Sequence, residues 1–317
     1  MLQELFRIPI PGFGELPIFS YGLMLVIGFL AAIQLAKFLA RRMGIDPEIF
    51  VNAGLIALVT GIIGARLSHI LENTGQYFDS TRSAWANFRD AINIRSGGLT
   101  YYGGFLLAFP TLVWYAIKKK LPLRLSMDIA APCIMIGLAF GRIGCFLNGC
   151  CYGDECSLPW AVQFPYHSWA YQDEFDRHKI EVPPELLAPT EDGRVRLRDP
   201  KALRSDPALA ALAASEHSLP LHPAQIYSAI TAFMIAGITL LYFTLPHVVG
   251  RGFALMLMLE GGTRFLLELL RVEPPVIGSF SLSMILGLAL LAMGIVMWFA
   301  LGRASLAGAA TPRPTPA

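Results

Sequence analysis

The residues best suited to chemistry in this chain are charged side chains inside segments that are otherwise apolar. The clearest case reads Gly141-Arg142-Ile143-Gly144, continues to Asn148-Gly149-Cys150-Cys151-Tyr152-Gly153, and closes an apolar run that starts near Ile129. An ionisable group in the interior of a bilayer costs a few kcal/mol or more, so it is expected to face a partner, a cavity or a ligand. Glycines let a backbone or a headgroup come close. We interpret this motif as a polar site in a membrane protein.

A second apolar segment carries four charged residues on one helical face. Glu260, Arg264, Glu268 and Arg271 are spaced at i, i+4, i+8 and i+11. The Arg264–Glu268 pair could serve only as a buried salt bridge that fixes helix packing. Arg142 has no acid three or four residues away, so its partner lies elsewhere in the fold or is a ligand.

Polar residues interrupt three further apolar segments and precede a fourth. These residues are Tyr21-Gly22; Gly64-Ala65-Arg66 with His69 and Glu72; Gly97-Gly98-Leu99-Thr100-Tyr101-Tyr102-Gly103-Gly104; and His222-Pro223-Ala224-Gln225-Ile226-Tyr227. Each has a plainer reading: Arg66 and Glu72 as a packing salt bridge, the glycine pairs as close helix contacts, and His222-Pro223 as a helix start. Guanidinium groups bind phosphate in a fork, and a phosphate at membrane depth is a phospholipid headgroup. The residues alone therefore predict a membrane protein that binds an anionic lipid or a similar lipid phosphate.

Composition supports a membrane protein. The 317 residues are 55% hydrophobic and 15% charged, against about 25% charged in soluble domains. The net charge of +2 is too small to indicate nucleic acid as a partner. A membrane helix needs about 20 mainly apolar residues. We predict an all-α membrane protein with seven transmembrane helices, at 18–40, 51–72, 98–117, 128–147, 224–245, 252–270 and 279–301.

Lysines and arginines in the short loops predict the orientation. Ten of these basic residues flank the helix ends that we assign to the cytoplasm: Lys37, Arg41, Arg42, Lys118, Lys119, Lys120, Arg124, Arg251, Arg303 and Arg313. Five flank the other ends: Arg7, Arg82, Arg89, Arg95 and Arg271. The N-terminus is therefore expected outside and the C-terminus inside. The start of the chain lacks the pattern of a cleavable signal peptide, so the first span is expected to act as the insertion signal.

The domain prediction is one polytopic membrane domain over residues 1–303 with an inserted head. The head, at about 149–221, is polar and lies outside, in the periplasm, with one short Ala- and Leu-rich helix at 203–214. The tail, 304–317, is rich in Ala and Pro and is expected to be a disordered cytoplasmic segment.

Four of the five cysteines cluster at the outer end of the fourth span. Cys133 lies within that span and is expected to be a core residue. Three interpretations of Cys145, Cys150, Cys151 and Cys156 stay open: a disulfide involving Cys156, a metal site, or unpaired packing. Their spacing fits no standard zinc pattern, so the prediction for metal ligands is none.

Taken in order, these motifs resemble the phosphatidylglycerol–prolipoprotein diacylglyceryl transferase family of bacteria. The resemblance rests on six blocks, which are Tyr21-Gly22-Leu23-Met24, Gly64-Ala65-Arg66, the glycine block 97–104, the motif 141–153, the block 222–227, and Arg264-Phe265 with Glu268 and Arg271. It covers most of the chain but neither the head, 154–221, nor the tail. It implies a multi-pass protein of the bacterial inner membrane.

The resemblance also implies a reaction, in which the diacylglyceryl group of phosphatidylglycerol passes to the lipobox cysteine thiol of a prolipoprotein signal peptide. A thioether forms and glycerol phosphate leaves, with membrane lipids as surroundings and no cofactor. The implied catalytic residues are Arg142, Arg264 and Tyr102. The implied substrate-binding residues are Tyr21, Arg66, Gly97, Gly98, Gly103, Gly104, Asn148, Gly153, His222, Gln225, Tyr227, Glu260 and Glu268.

The chain departs from the family pattern at several positions. The family often has histidine where this chain has Tyr102, an amide and an acid where Cys145 and Cys150 stand, and an aromatic residue at Glu260. One alternative is a divergent, non-enzymatic protein that binds or transports lipid phosphate, although the chain shows no paired repeats. Another is a thiol-redox protein, which would need the C-x-x-C spacing that is absent.

Overall fold

The protein is a helical chain with two small β-hairpins, seen in a computed structural model that describes residues 4–10, 14–78, 82–93, 98, 100–189, 195–199, 202–203, 205–271 and 276–306. The helices are α1 (Ser20–Arg42), α2 (Pro47–Glu72), α3 (Thr74–Tyr77), α4 (Ala84–Ile92), α5 (Tyr101–Lys118), α6 (Leu123–Asn148), α7 (Trp169–Asp176), α8 (Pro207–Ser215), α9 (Ala224–Thr244), α10 (Arg251–Glu268) and α11 (Leu282–Leu306). The strands are β1 (Glu4–Ile10), β2 (Gly14–Phe19), β3 (Leu187–Pro189) and β4 (Val195–Leu197). Each strand pair is antiparallel.

Each of the seven predicted spans coincides with a long helix. Among the described residues, five helices are long and apolar enough to cross a membrane: Ser20–Arg42, Pro47–Glu72, Leu123–Asn148, Ala224–Thr244 and Leu282–Arg303. Large apolar side chains such as Leu106 and Val296 are 71% and 68% exposed on helix surfaces, as expected of faces that contact lipid. The chain is therefore an all-helical membrane protein in its main architecture. The hairpins were not predicted.

The described residues divide into two compact units, and the division falls inside α1 and α6. The first unit contains residues 4–32 and 130–306. Its membrane-helix core joins α6, α9 and α10 through buried residues, including Met135, Ile235 and Leu257. Helices α10 and α11 approach closely because glycines face each other, and a Cβ added to Gly261 would lie 2.5 Å from the carbonyl oxygen of Gly287. Small residues at this contact let the two helices pack closely.

The second unit contains residues 33–129 and is built on α2 and α5. Gly64 and Gly103 lie backbone to backbone where these helices meet, and Gly104 lies close to the carbonyl of Gly61. Asp46 caps the start of α2, since its carboxylate accepts a hydrogen bond from Glu48 N at 3.0 Å. Gly64, Gly103 and Gly104 therefore serve close helix packing within this unit.

The predicted head forms its own small core within the first unit. Tyr171 and Leu186 are fully buried, and residues of α8 and β4 pack with them. The short helix predicted at 203–214 is present as α8, somewhat later in the chain. Helix α11 continues to Leu306, and the rest of the predicted tail lies outside the described residues.

A buried carboxyl in the head makes its stability depend on pH. Glu174 is 3% exposed, and burial raises the pKa of its carboxyl group above the ordinary range. The folded head therefore holds this proton at pH values where the unfolded chain has released it, so stability falls as pH rises through that window. We expect Glu174→Gln to raise the melting temperature near about pH 8 and to change it little near about pH 4. Thermal unfolding followed by tryptophan fluorescence measures this, and Glu185→Gln, at an exposed carboxyl, is the control. Equal changes in the melting temperature of Glu174→Gln at both pH values would contradict this role of the buried carboxyl group.

Candidate functional site

Three arginines line one narrow cavity in the first unit. Arg142 comes from α6, Arg264 from α10, and Arg271 from the turn that follows α10. Glu260 and Glu268 line the same cavity, so the two charged motifs found in the sequence meet in space. The remaining wall is contributed by Cys151, Ala224, Ser228, Thr231, Thr263 and Leu267. Within this cavity, three cationic groups face two carboxylates, so an anion would complete the charge balance.

Polar contacts fix the C-terminal part of α10, which borders the cavity. Arg271 Nη1 lies 3.3 Å from Glu268 Oε2 in an ion pair, and the Ser281 hydroxyl donates to the other oxygen of Glu268 at 3.2 Å. Arg264 Nη2 donates to Ser283 Oγ at 2.9 Å. Sequence spacing suggested an Arg264–Glu268 salt bridge, whereas the ion pair seen here joins Glu268 to Arg271. Glu268, 2% exposed, therefore orients Arg271.

Arg142 carries donor capacity that the described residues leave unused. Its Nε is buried and has no hydrogen-bond partner within the described part of the chain. A buried charged donor without a partner costs free energy, so such a group is typically completed by a ligand or by water. Arg142 is thus prepared to bind an anion that enters the cavity.

The chain turns sharply at the end of α6 and brings further candidates together. Gly149 has a φ of 74° and ends the helix in a Schellman motif, in which Cys150 N donates to Cys145 O at 3.1 Å and Gly149 N to Phe146 O at 3.2 Å. Gln225 is fully buried, and its Nε2 donates to Cys150 O at 2.8 Å. Asn148 Nδ2 lies 3.7 Å from Cys150 Sγ. This turn is therefore fixed by α9 as well as by α6.

The next loop packs against the start of α9. Gly153 N donates to His222 O at 2.9 Å, and a Cβ at Gly153 would lie 2.6 Å from His222 Cβ. His222 Nδ1 and the Tyr227 hydroxyl are 3.4 Å apart, and Trp160 Nε1 donates to that hydroxyl at 2.7 Å. Close packing thus explains why only glycine fits at position 153.

Tyr21 lies at the start of α1 and packs on the fourth predicted span. A Cβ added to Gly144 would lie 3.0 Å from Tyr21 Cδ2. Tyr21 is 38% exposed. Gly144, the second glycine of the motif, therefore lets an aromatic side chain approach α6.

The candidates in the second unit form a separate cluster. Arg66 is 6% exposed and donates to the carbonyls of Asp90, Ala91 and Gly98 at 2.7, 2.8 and 2.9 Å. Its guanidinium also lies over the Tyr77 ring, 4.9 Å from the centroid. Arg66 therefore ties α2 to the segment before α5.

Glu72 and Gly98 complete that cluster. Glu72 accepts hydrogen bonds from the hydroxyls of Ser68 and Thr100, both at 2.9 Å. Gly98 has a φ of 77°, and a Cβ there would meet His69 and Arg66. Tyr102, at the start of α5, is 45% exposed. Gly97 lies outside the described residues.

Sequence reasoning missed part of the site. Ser281 and Ser283 orient the acid and the arginine of α10, and no spacing in the sequence pointed to them. Arg271 was noticed on the charged face but was not counted as a site residue. Its position on the same face as Arg264 was the available signal.

None of the five cysteines, all of which lie in the described part of the chain, forms a disulfide bond. Cys156 is among them, so the disulfide interpretation is not the one observed. Cys145, Cys150 and Cys151 form a cluster in which the sulfur atoms all lie within 4.8 Å of one another. We call these three residues the thiol cluster.

A chain with several membrane-length helices and a cavity lined by three arginines has the features of a multi-pass membrane protein. The family model described as prolipoprotein diacylglyceryl transferase matches residues 10–300. The chain belongs to this family.

Individual relatives carry the name phosphatidylglycerol–prolipoprotein diacylglyceryl transferase. One from Corynebacterium diphtheriae is 34% identical over 170 residues, covering 52% of this chain and 59% of the relative. One from Rhodopirellula baltica is 33% identical over 157 residues, covering 49% and 31%. One from Clostridium tetani is 26% identical over 259 residues, covering 82% and 83%. The chain thus matches less than two thirds of the length of the first two relatives and most of the length of the third.

Proposed function

We propose that this protein transfers the diacylglyceryl group of phosphatidylglycerol to the lipobox cysteine thiol of prolipoproteins. The observation that carries the proposal is the cavity of Arg142, Arg264 and Arg271, in a chain of this family. Three guanidinium groups suit a phosphodiester headgroup, because each offers paired donors at phosphate spacing. The membrane setting matches both substrates, a phospholipid and a membrane-inserted signal peptide.

In the proposed reaction one bond forms and one breaks. The peptide thiol loses its proton, which ends on a phosphate oxygen of the released glycerol phosphate, and its sulfur attacks the diacylglycerol carbon that bears the phosphate ester. The carbon–oxygen bond breaks, and the electron pair leaves with the phosphate oxygen as glycerol phosphate. Negative charge grows on that oxygen, and a well-aimed donor there contributes about 3–4 kcal/mol to transition-state stabilisation. Arg142, with its unused donor, and Arg264, held by Ser283, take this role.

The surrounding residues position the headgroup in this proposal. Glu260 lines the cavity and balances its charge, and Glu268 orients Arg271. Residues at the start of α1, at the end of α6 and around the start of α9 are proposed to bind the headgroup glycerol. These are Tyr21, Asn148, Gly153, His222, Gln225 and Tyr227. In the second unit, Arg66, Gly98, Gly103 and Gly104 are proposed as substrate-binding residues, as is Gly97, which lies outside the described residues.

Tyr102 is proposed to position the lipid through a hydrogen bond. A phenol hydroxyl is a poor general base, and it can still donate a hydrogen bond to a lipid headgroup. We expect Tyr102→Phe to lower the transfer rate by less than about tenfold, the size of one neutral hydrogen bond. Steady-state kinetics with a lipobox peptide measure this. A loss as large as that of an arginine variant would instead give Tyr102 a direct chemical part.

We propose that seven helices span the bacterial inner membrane with the N-terminus outside, the C-terminus inside and the head in the periplasm. The positive charges in the short loops support this orientation. A cytoplasmic reporter enzyme fused after Ala317 is expected to be active, and a periplasmic reporter at the same point inactive. The reverse pattern would overturn the topology.

The function is tested with purified protein, phosphatidylglycerol and a synthetic lipobox peptide. The peptide is expected to gain the mass of one diacylglyceryl unit while glycerol phosphate appears in equal amount. A peptide whose cysteine is replaced by serine is the control and should gain nothing. Binding of the lipid without any gain in peptide mass would end the transferase proposal.

A further inference from the structure

The thiol cluster stands apart from the residues that the transfer reaction needs. The substrate supplies the nucleophilic thiol, so the reaction leaves Cys145, Cys150 and Cys151 without a chemical task. Two of these positions, Cys145 and Cys150, also depart from the pattern of the family that the sequence resembles. Three half-buried thiols gathered in one place are therefore a separate chemical feature.

The backbone holds the three sulfur atoms together independently of any ligand. The Schellman turn at Gly149 brings Cys150 next to Cys145, through the bond from Cys150 N to Cys145 O at 3.1 Å. Cys151 then adopts a φ of 59°, a left-handed conformation that is uncommon for a residue with a side chain. Gln225 fixes the carbonyl of Cys150 from α9 at 2.8 Å. Strained backbone of this kind persists where surrounding structure determines it, and it clusters at functional sites.

The sulfur separations match the demands of one metal ion. Bonds of about 2.3 Å to three thiolates in a plane place the sulfurs about 4 Å apart, and here they all lie within 4.8 Å of one another. Thiolates are ligands for copper(I), for zinc and for iron–sulfur clusters, but zinc in structural sites takes four ligands. Among the described histidines, cysteines and acidic residues, no fourth ligand joins the three thiols, and three-fold coordination favours copper(I) over zinc. Among the described cysteines, Cys133 and Cys156 are not part of the cluster.

The charges around the cluster suit a thiolate site that a cation can reach. Cys151 lines the same cavity as Arg142 and Arg271, whose positive charges offset the negative charge of a metal–thiolate group. A second cavity also includes Cys151 and Arg271 in its wall and runs along the head beside Asp154, Asp173 and Glu174, with Arg177 and Lys179. Cys151 therefore borders two cavities, so the thiol cluster is accessible from either one within the described part of the chain.

We propose that Cys145, Cys150 and Cys151 form a three-thiolate binding site for one copper(I) ion, beside the arginine cavity. The site needs no lipid or peptide substrate, so its test does not depend on the proposed transfer reaction.

The test is copper(I) binding by the full chain in detergent, without oxygen and in competition with a coloured copper(I) chelator. One copper(I) ion per protein is expected. Cys145→Ser, Cys150→Ser and Cys151→Ser are each expected to weaken binding by more than about 100-fold, the upper end of the cost of losing an outer-shell partner. Cys133→Ser and Cys156→Ser are the matched controls and should bind as the wild type does.

X-ray absorption of the copper-loaded wild type keeps the proposal testable if a variant fails to fold. The spectrum is expected to show three sulfur atoms at a single distance from the copper ion. Two sulfur neighbours, binding unchanged by Cys145→Ser, or tighter binding of zinc than of copper(I) would each overturn the site. A thiol count that shows these cysteines already joined in a disulfide would overturn it as well.

Discussion

Arg142→Ala lowers the rate of diacylglyceryl transfer by about 10²- to 10³-fold while the protein stays folded, the loss expected for one well-aimed donor in the transition state. The physical reason is the buried Nε of Arg142, which has no partner within the described residues and faces the cavity. Removing the side chain takes away charge and donors that a leaving phosphate oxygen would use. The rate constant kcat with a lipobox peptide is the measurement, with the melting temperature in detergent as the check on folding.

Two further variants separate the chemistry from simple loss of charge. Arg142→Lys keeps the charge but loses the planar fork, so it should recover only part of the rate. Arg177→Ala removes an arginine of the head, which pairs with Asp173 at 3.0 Å, and should transfer at close to the wild-type rate. Near-normal activity of Arg142→Ala would contradict the proposal that Arg142 binds and stabilises the leaving phosphate.

Gly261→Ala destabilises the protein by about 1–3 kcal/mol, the usual cost of forcing a methyl group into a packed interface. The added Cβ would lie 2.5 Å from both the carbonyl oxygen of Gly287 and the amide nitrogen of Leu291. Both are backbone atoms, so α10 and α11 must move apart. Arg264 lies one helical turn later on α10, and its movement should lower transfer as well. Thermal unfolding in detergent measures the first effect and kcat the second.

Gly262→Ala is the matched control for this change. The same methyl group there meets nothing within 4 Å, and alanine is favoured over glycine in a helix by about 1 kcal/mol. The control should therefore be as stable as the wild type or more stable. If the two variants have equal melting temperatures, the close contact between α10 and α11 does not limit stability.

Local patterns in the sequence were enough to predict the long helices. A helix of about 20 apolar residues is dictated by the bilayer itself, so all seven predicted segments appear as helices. A buried arginine in such a helix must be compensated, but the residues alone left the partner of Arg142 open. The family resemblance named Arg142 and Arg264 together, and the two line one cavity.

Contacts between distant parts of the chain could not be predicted in this way. Ser281 and Ser283 act on α10 from the next segment of the chain, and their sequence context is ordinary. Arg66 was considered as a partner of Glu72, but it binds the carbonyls of Asp90, Ala91 and Gly98, which no side-chain pattern reveals. The thiol cluster depends on a positive φ at Cys151, a conformation that sequence spacing does not indicate.

The most direct test of the proposed function follows the atoms of phosphatidylglycerol labelled with heavy carbon in either of its two glycerol units. The account predicts that the peptide gains label from the glycerol that carries the acyl chains and none from the headgroup glycerol. The headgroup label should appear in released glycerol phosphate, and Arg142→Ala should suppress both products together. Label from the headgroup on the peptide, or no label on it at all, would contradict diacylglyceryl transfer by this protein.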